Sequence, residues 1–154
     1  MRYEYIEPFV LSTMRVLDSV LQSDIARGDV SLVNSREISG DISIVIYMKG
    51  NSEGNIILNM DTETALKICN YMTGEEFELV THQGLDPVAE LANMIAGNST
   101  SSLNDLGADF NVSPPLVVMR DDDLLKKGPA VEAFQVPLFT EYGEITLNIA
   151  MRTS

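Results

Sequence analysis

The chain has 154 residues, of which 45% are hydrophobic and 21% charged, and its formal net charge is −13. That length buries a full core within one domain, and that balance excludes intrinsic disorder. Nucleic acid and anionic membrane are not expected partners, because their phosphates would be repelled.

In chain order, the first expected element is a helix over Tyr5–Ile25. Glu7-Pro8 opens it, Phe9, Val10, Met14, Leu17 and Leu21 recur at helical spacing, and Arg27-Gly28-Asp29 is its expected end. Leu32–Ile38 alternates weakly, as an edge strand does. Asp41–Lys49 (DISIVIYMK) is β-branched and apolar, and Gly50-Asn51-Ser52 turns it into a returning strand, Gly54–Met60. Asp61 is an expected N-cap for a second helix through Ala65, Leu66, Ile68, Cys69 and Met72, stopped at Thr73-Gly74. Glu75–Gln83 is an acidic linker.

Leu85–Leu106 (LDPVAELANMIAGNSTSSLNDL) then predicts one long amphipathic helix. Val88, Leu91, Ala92, Ile95 and Leu106 form its expected apolar stripe, and Asp86, Glu90, Asn93 and Gly97 share the opposite side. Gly107–Pro115 is a loop and Leu116–Arg120 a short strand. Asp121–Pro129 is turn-rich, and Val131–Thr140 with Gly143–Arg152 closes the chain as a hairpin.

The two halves echo each other. Glu7-Pro8 and Asp86-Pro87 each open a helix, and Gly54–Met60 (GNIILNM) matches Gly143–Ile149 (GEITLNI) as G-x-I-x-L-N. Pseudo-repeats of about 5–74 and 84–152 in a single domain, 1–154, are therefore expected. The expected fold class is α+β: a duplicated helix-plus-strands unit giving one mostly antiparallel sheet of about six strands, with helices packed on it. The echo fails at one place. Leu11 stands where Glu90 stands, Met14 where Asn93 does, and Asp18 where Gly97 does.

Glu90 and Asn93 lie three residues apart, so their side chains are neighbours on a helix. An isolated E-x-x-N is ordinarily a solvated face. The amide of Asn93 both donates and accepts, so it can orient a water, but it cannot act as a base. Glu90 can bind a partner's cation, ligate a metal or serve as a base. Two such side chains with no nearby His or Cys do not complete an active site. Asp86 reads first as a helix cap. Gly97 implies close approach, either by a packing neighbour or by a docked partner. His82 reads as a surface histidine. Asp121-Asp122-Asp123 lacks the alternating ligands and Gly of a calcium loop and reads as a solvated turn. Cys69 is the sole cysteine and reads as a buried small hydrophobe in a reducing cytoplasmic compartment.

These residues carry a resemblance. The chain resembles the CheC/CheX/FliY family of chemotaxis phosphatases, and most closely its CheX members. The family pattern is an acidic residue or Ser, a Glu, an Asn and a later Pro, here Asp86, Glu90, Asn93 and Pro114-Pro115. ELANMIAGN (Glu90–Asn98) and SPPLVV (Ser113–Val118) look like the CheX versions, although Leu116 stands where a small polar residue is usual. Leu11 and Met14 place the chain with members that carry the pair once rather than in both halves. The resemblance implies a phosphatase for the phospho-aspartate of a CheY-like response-regulator receiver domain. Asn93 would align the attacking water, Glu90 would pair with a receiver lysine, and Asp86 and Gly97 would lie in the partner-binding surface. It also implies that the receiver supplies Mg²⁺, that this chain binds no cofactor or metal of its own, and that the protein is a homodimer. A non-enzymatic module that binds a receiver or a flagellar-switch component is the alternative.

Overall fold

The structure, a computed structural model, describes residues 3–35, 40–50, 52–78, 81, 83–119 and 131–153. His82 and Asp121-Asp122-Asp123 lie outside the described residues. The order is α1 (Ile6–Leu21), β1 (Ala26–Arg27), β2 (Ser31–Ser35), β3 (Ile42–Lys49), β4 (Ser52–Met60), α2 (Thr62–Thr73), α3 (Asp86–Asp105), β5 (Asn111–Val112), β6 (Leu116–Met119), β7 (Val131–Thr140) and β8 (Gly143–Thr153). The fold is α+β: the described residues form three α-helices on one antiparallel sheet of eight strands.

The expected count of about six strands rises to eight because two-residue β1 and β5 extend the edges. Both β1 and β2 pair with β7, and both β5 and β6 pair with β3. Across the sheet this leaves six ranks: β1 with β2, then β7, β8, β4, β3, and β5 with β6. Each half gives its short edge strands to the long strand of the other half. At the centre Leu58 of β4 stands opposite Leu147 of β8. Those are the two leucines that the G-x-I-x-L-N match equates.

Strand alternation divides the sheet's two faces. Ile44 and Ile46 of β3, Leu58 of β4, Val136 of β7 and Leu147 of β8 belong to the main core beneath the helices. Their alternates Ser43, Val45, Asn59 and Asn148 are buried on the reverse face, where the Ser43 hydroxyl donates to Asn59 Oδ1 at 2.5 Å. The middle of the sheet is therefore buried on both sides.

The helix ends have local causes. α1 stops at Leu21, four residues earlier than expected, because Gln22 adopts a left-handed conformation (φ 48°, ψ 46°). This frees Ala26-Arg27 to join the sheet, and Arg27 then forms a two-pronged ion pair with Glu7 at the start of α1. Asp61 caps α2 as expected, accepting from the Thr64 amide at 2.7 Å. That bond holds its carboxyl below the usual range.

Ser113 explains the S-P-P stretch. Pro114 and Pro115 have no amide to offer β3. Ser113 compensates by bonding both backbone groups of Tyr47: its amide donates to Tyr47 O and its Oγ accepts from Tyr47 N, each at 2.9 Å. Close approach also fixes Gly50, where a Cβ would fall 1.6 Å from the Asp109 carbonyl oxygen. Gly50→Ala is expected to destabilise the fold by about 1–3 kcal/mol, as overpacking does. A urea midpoint equal to wild type would contradict this.

Candidate active site

The site is built on α3, so what fixes α3 fixes the site. Its entry is a single 3₁₀ turn, Gln83–Leu85. Thr81 caps that turn: its hydroxyl accepts from Gly84 N at 2.9 Å and its carbonyl from Leu85 N at 3.1 Å. Asp86 is therefore not the N-cap that the sequence suggested. It is the first helical residue, exposed, with no side-chain cap bond at the preceding Leu85. There its carboxylate meets the positive end of the helix dipole. At the other end Gly107 (φ +100°) donates to Asn104 O, and Ala108 N donates to Leu103 O, a Schellman closure. Asn104 then pins the departing chain, bonding both backbone groups of Phe110.

The buried side of α3 is Val88, Leu91, Ala92, Ile95, Ala96, Ser99, Thr100 and Leu103. Leu106 was expected in this stripe but is 59% exposed, beyond the last helical turn, and fully buried Leu103 fills its place. Small residues on that side leave room for α1, which packs alongside. Thr100 returns its hydroxyl to the Ala96 carbonyl at 2.8 Å, so its polarity is satisfied within the helix.

The opposite side holds the four expected residues together. Asp86, Glu90 and Asn93 are exposed and Gly97 is half-buried. Met94, 44% exposed, stands beside them as the large apolar side chain of this surface, and the sequence had not singled it out. Among the described residues Gly97 has no packing neighbour to explain it: a Cβ there would meet nothing of theirs within 4 Å. Asn98 Nδ2 donates to Met94 O at 2.9 Å, an extra bond across the turn that contains Gly97.

All charged residues of α3 are acidic: Asp86, Glu90 and Asp105. Among the described residues no group of three His, Cys, Asp or Glu converges to hold a metal. Cys69 is buried, and burial above all pushes its thiol up, with Asp86 adding to the effect against an opposing hydrogen bond at Val88. It stays protonated and is a poor nucleophile. Among the described residues no helix is long and apolar enough to cross a membrane.

On α1 the corresponding surface has another character. Leu11, Met14, Arg15 and Asp18, with Ile25, line a shallow groove of about 430 Å³. By the helix match these four are the counterparts of Glu90, Asn93, Met94 and Gly97. The same place in the fold is thus an apolar groove on α1 and a polar ridge on α3.

Comparison with known proteins finds the same fold. The family model for the chemotaxis phosphatase CheX matches residues 42–138. The CheY-P phosphatase CheX of Thermotoga maritima is 29% identical over 137 residues, covering 88% of each chain. The crystal structure of a CheX–CheY–BeF₃–Mg²⁺ complex from Borrelia burgdorferi contains a chain 30% identical, with a TM-score of 0.80 over 98% of this chain and 99% of that one. A CheC-like superfamily protein from Shewanella sp. PV-4 is 26% identical, with a TM-score of 0.82 over 99% of both chains. With the family model matching well over half of its length and the fold shared with these proteins, the chain belongs to the chemotaxis phosphatase CheX family.

Proposed function

We propose that the chain accelerates hydrolysis of the phospho-aspartate on a CheY-like receiver domain. The observation that carries this reading is the pair itself. Glu90 and Asn93 stand exposed and adjacent on a helix whose twin has neither, in a family of phosphatases. Phosphoryl transfer depends mainly on positioning and charge stabilisation, so a water-orienting amide brought to a prepared phosphoryl group is a sufficient contribution. Asn93 holds a water in line with the phosphorus. The water oxygen forms the new P–O bond, the bond to the aspartyl oxygen breaks, and inorganic phosphate and a free carboxylate result. Glu90 pairs with a receiver lysine and sets the helix over the phosphorylated residue. Asp86 and Gly97 lie within the same docking surface. The receiver brings the Mg²⁺ that neutralises the phosphoryl oxygens, and this chain needs no cofactor of its own. The crystallised Borrelia relative holds CheY with BeF₃ and Mg²⁺, which supports a partner of this kind.

The test follows the phosphoryl group on each phosphorylated receiver domain of the source cell, with and without this protein. Faster loss of phosphate supports the proposal. Binding without acceleration would instead support a receiver-binding or flagellar-switch-like module.

The duplicated reading of the chain, about 5–74 and 84–152 in one domain, is part of the same proposal. So are a cytoplasmic location and a homodimer. Tyr47, Leu116 and Phe139, exposed on the reverse face of the sheet, are apolar surface that a second copy would cover. Sedimentation equilibrium is expected to give twice the chain mass. A monomer at micromolar concentration would remove the dimer from the proposal.

A further inference from the structure

We propose that Gly97 is a clearance residue: its missing side chain lets α3 come close enough to the receiver for Asn93 to reach the phosphoryl group. The inference rests on the phosphatase reading above and deepens it. Asn is short, with its amide only two bonds beyond Cβ. For that amide to enter a partner's site, the helix backbone must approach the partner's surface closely. The height of the side chains flanking Asn93 along its own row, four residues before and four after, sets how near it comes. Those residues are Ala89 and Gly97. The helix surface is thus low where a short side chain has to reach furthest.

Three observations make Gly97 specific to docking. A glycine in the fourth turn of an otherwise regular helix weakens that helix relative to alanine. Nothing among the described residues calls for it, since a Cβ at this position would meet none of them within 4 Å. Its backbone is also ordinary, because it is not among the positive-φ glycines. Finally, α1 lacks both the polar pair and the clearance: Val10 and Asp18 occupy the places of Ala89 and Gly97. The gap accompanies Asn93 and is missing where Asn93 is missing.

Glu90 is longer than Asn93 and more flexible, so it can still reach a partner held slightly further away. Enlarging residue 97 should therefore harm the chemical step more than docking. The experiment compares wild type, Gly97→Ala, Gly97→Gln and Gly97→Leu, measuring kcat, KM and thermal midpoint on a receiver that wild type dephosphorylates. Each substitution is expected to keep or raise the midpoint, by about 2–4 °C for alanine. kcat is expected to fall in order of side-chain size, reaching on the order of a hundredfold for Gln and Leu alike, with a smaller rise in KM. Asp18→Gln on α1 serves as the control and should change neither constant. Wild-type kcat in Gly97→Leu would overturn the inference, as would midpoints that drop with size, which would indicate packing. Failure of wild type itself to act on any receiver would overturn the phosphatase reading on which the inference stands.

Discussion

Asn93→Ala is expected to fold, to bind the phosphorylated receiver and to lose nearly all acceleration of phosphate release. The fold should not suffer. Asn93 is exposed, its side chain makes no hydrogen bond among the described residues, and alanine is the better helix former. Docking should persist because Glu90 and the rest of the α3 surface remain. What would disappear, under the proposed mechanism, is the group that holds the water. Removing one preorganised polar group at a transition state costs on the order of 10²–10³ in kcat. Asn93→Asp separates geometry from polarity. It keeps the shape but loses the amide donor and sets a negative charge beside the phosphoryl oxygens, so it too should be inactive. The measurement is single-turnover decay of the phosphorylated receiver at saturating protein, beside an independent binding assay. Full-rate hydrolysis by Asn93→Ala would remove Asn93 from the mechanism and leave the water to be oriented by the receiver alone.

How far the sequence discloses this site can be traced residue by residue. α3 was legible almost to its ends because Asp86-Pro87 and Gly107 mark them, and its periodicity put Glu90 and Asn93 on one side. Asp86 looks like the cap in the sequence because the residue that does cap, Thr81, closes a 3₁₀ turn, which has no apolar period to reveal it. The end of α1 is hidden in the sequence for a related reason. Gln22 is not a residue that advertises a left-handed conformation, whereas Arg27-Gly28-Asp29 has the composition of a stop. β1 and β5 were missed because two residues cannot show alternation.

The exchange of edge strands could not be read at all. β2 pairs with β7 and β6 with β3 through backbone bonds between distant segments, and side-chain patterns carry no information on the choice of partner. Gly97 shows the complementary limit. The sequence states that a helix tolerates a glycine there, and only the coordinates distinguish a crowded neighbour from open space. A methionine in an apolar helix looks like core, yet Met94 falls on the rim of the exposed side.

Glu90 is the second large expectation, and its effect should appear in binding rather than in chemistry. α3 has no Lys or Arg to partner it from its own helix, so a receiver lysine would be its main counter-charge. Once docked, that pair is withdrawn from water, and truncating one member leaves the other buried and unpaired. Such losses are typically about 2–5 kcal/mol, which is at least thirtyfold in affinity. Glu90→Ala is accordingly expected to raise KM at least thirtyfold while kcat at saturation stays near wild type, the reverse of Asn93→Ala. Glu90→Lys should be worse, because it places like charges together. Raising the ionic strength should weaken the wild-type complex, since Asp86 and Asp105 share the helix with Glu90 and nothing on it offsets them. The decisive form is a charge exchange. Glu90→Lys combined with a Lys→Glu receiver should recover part of the affinity that either change loses alone, and a double-mutant cycle measures that recovery. If the two losses simply add, Glu90 does not meet that lysine, and the orientation of α3 over the phosphorylated residue must be set by other contacts.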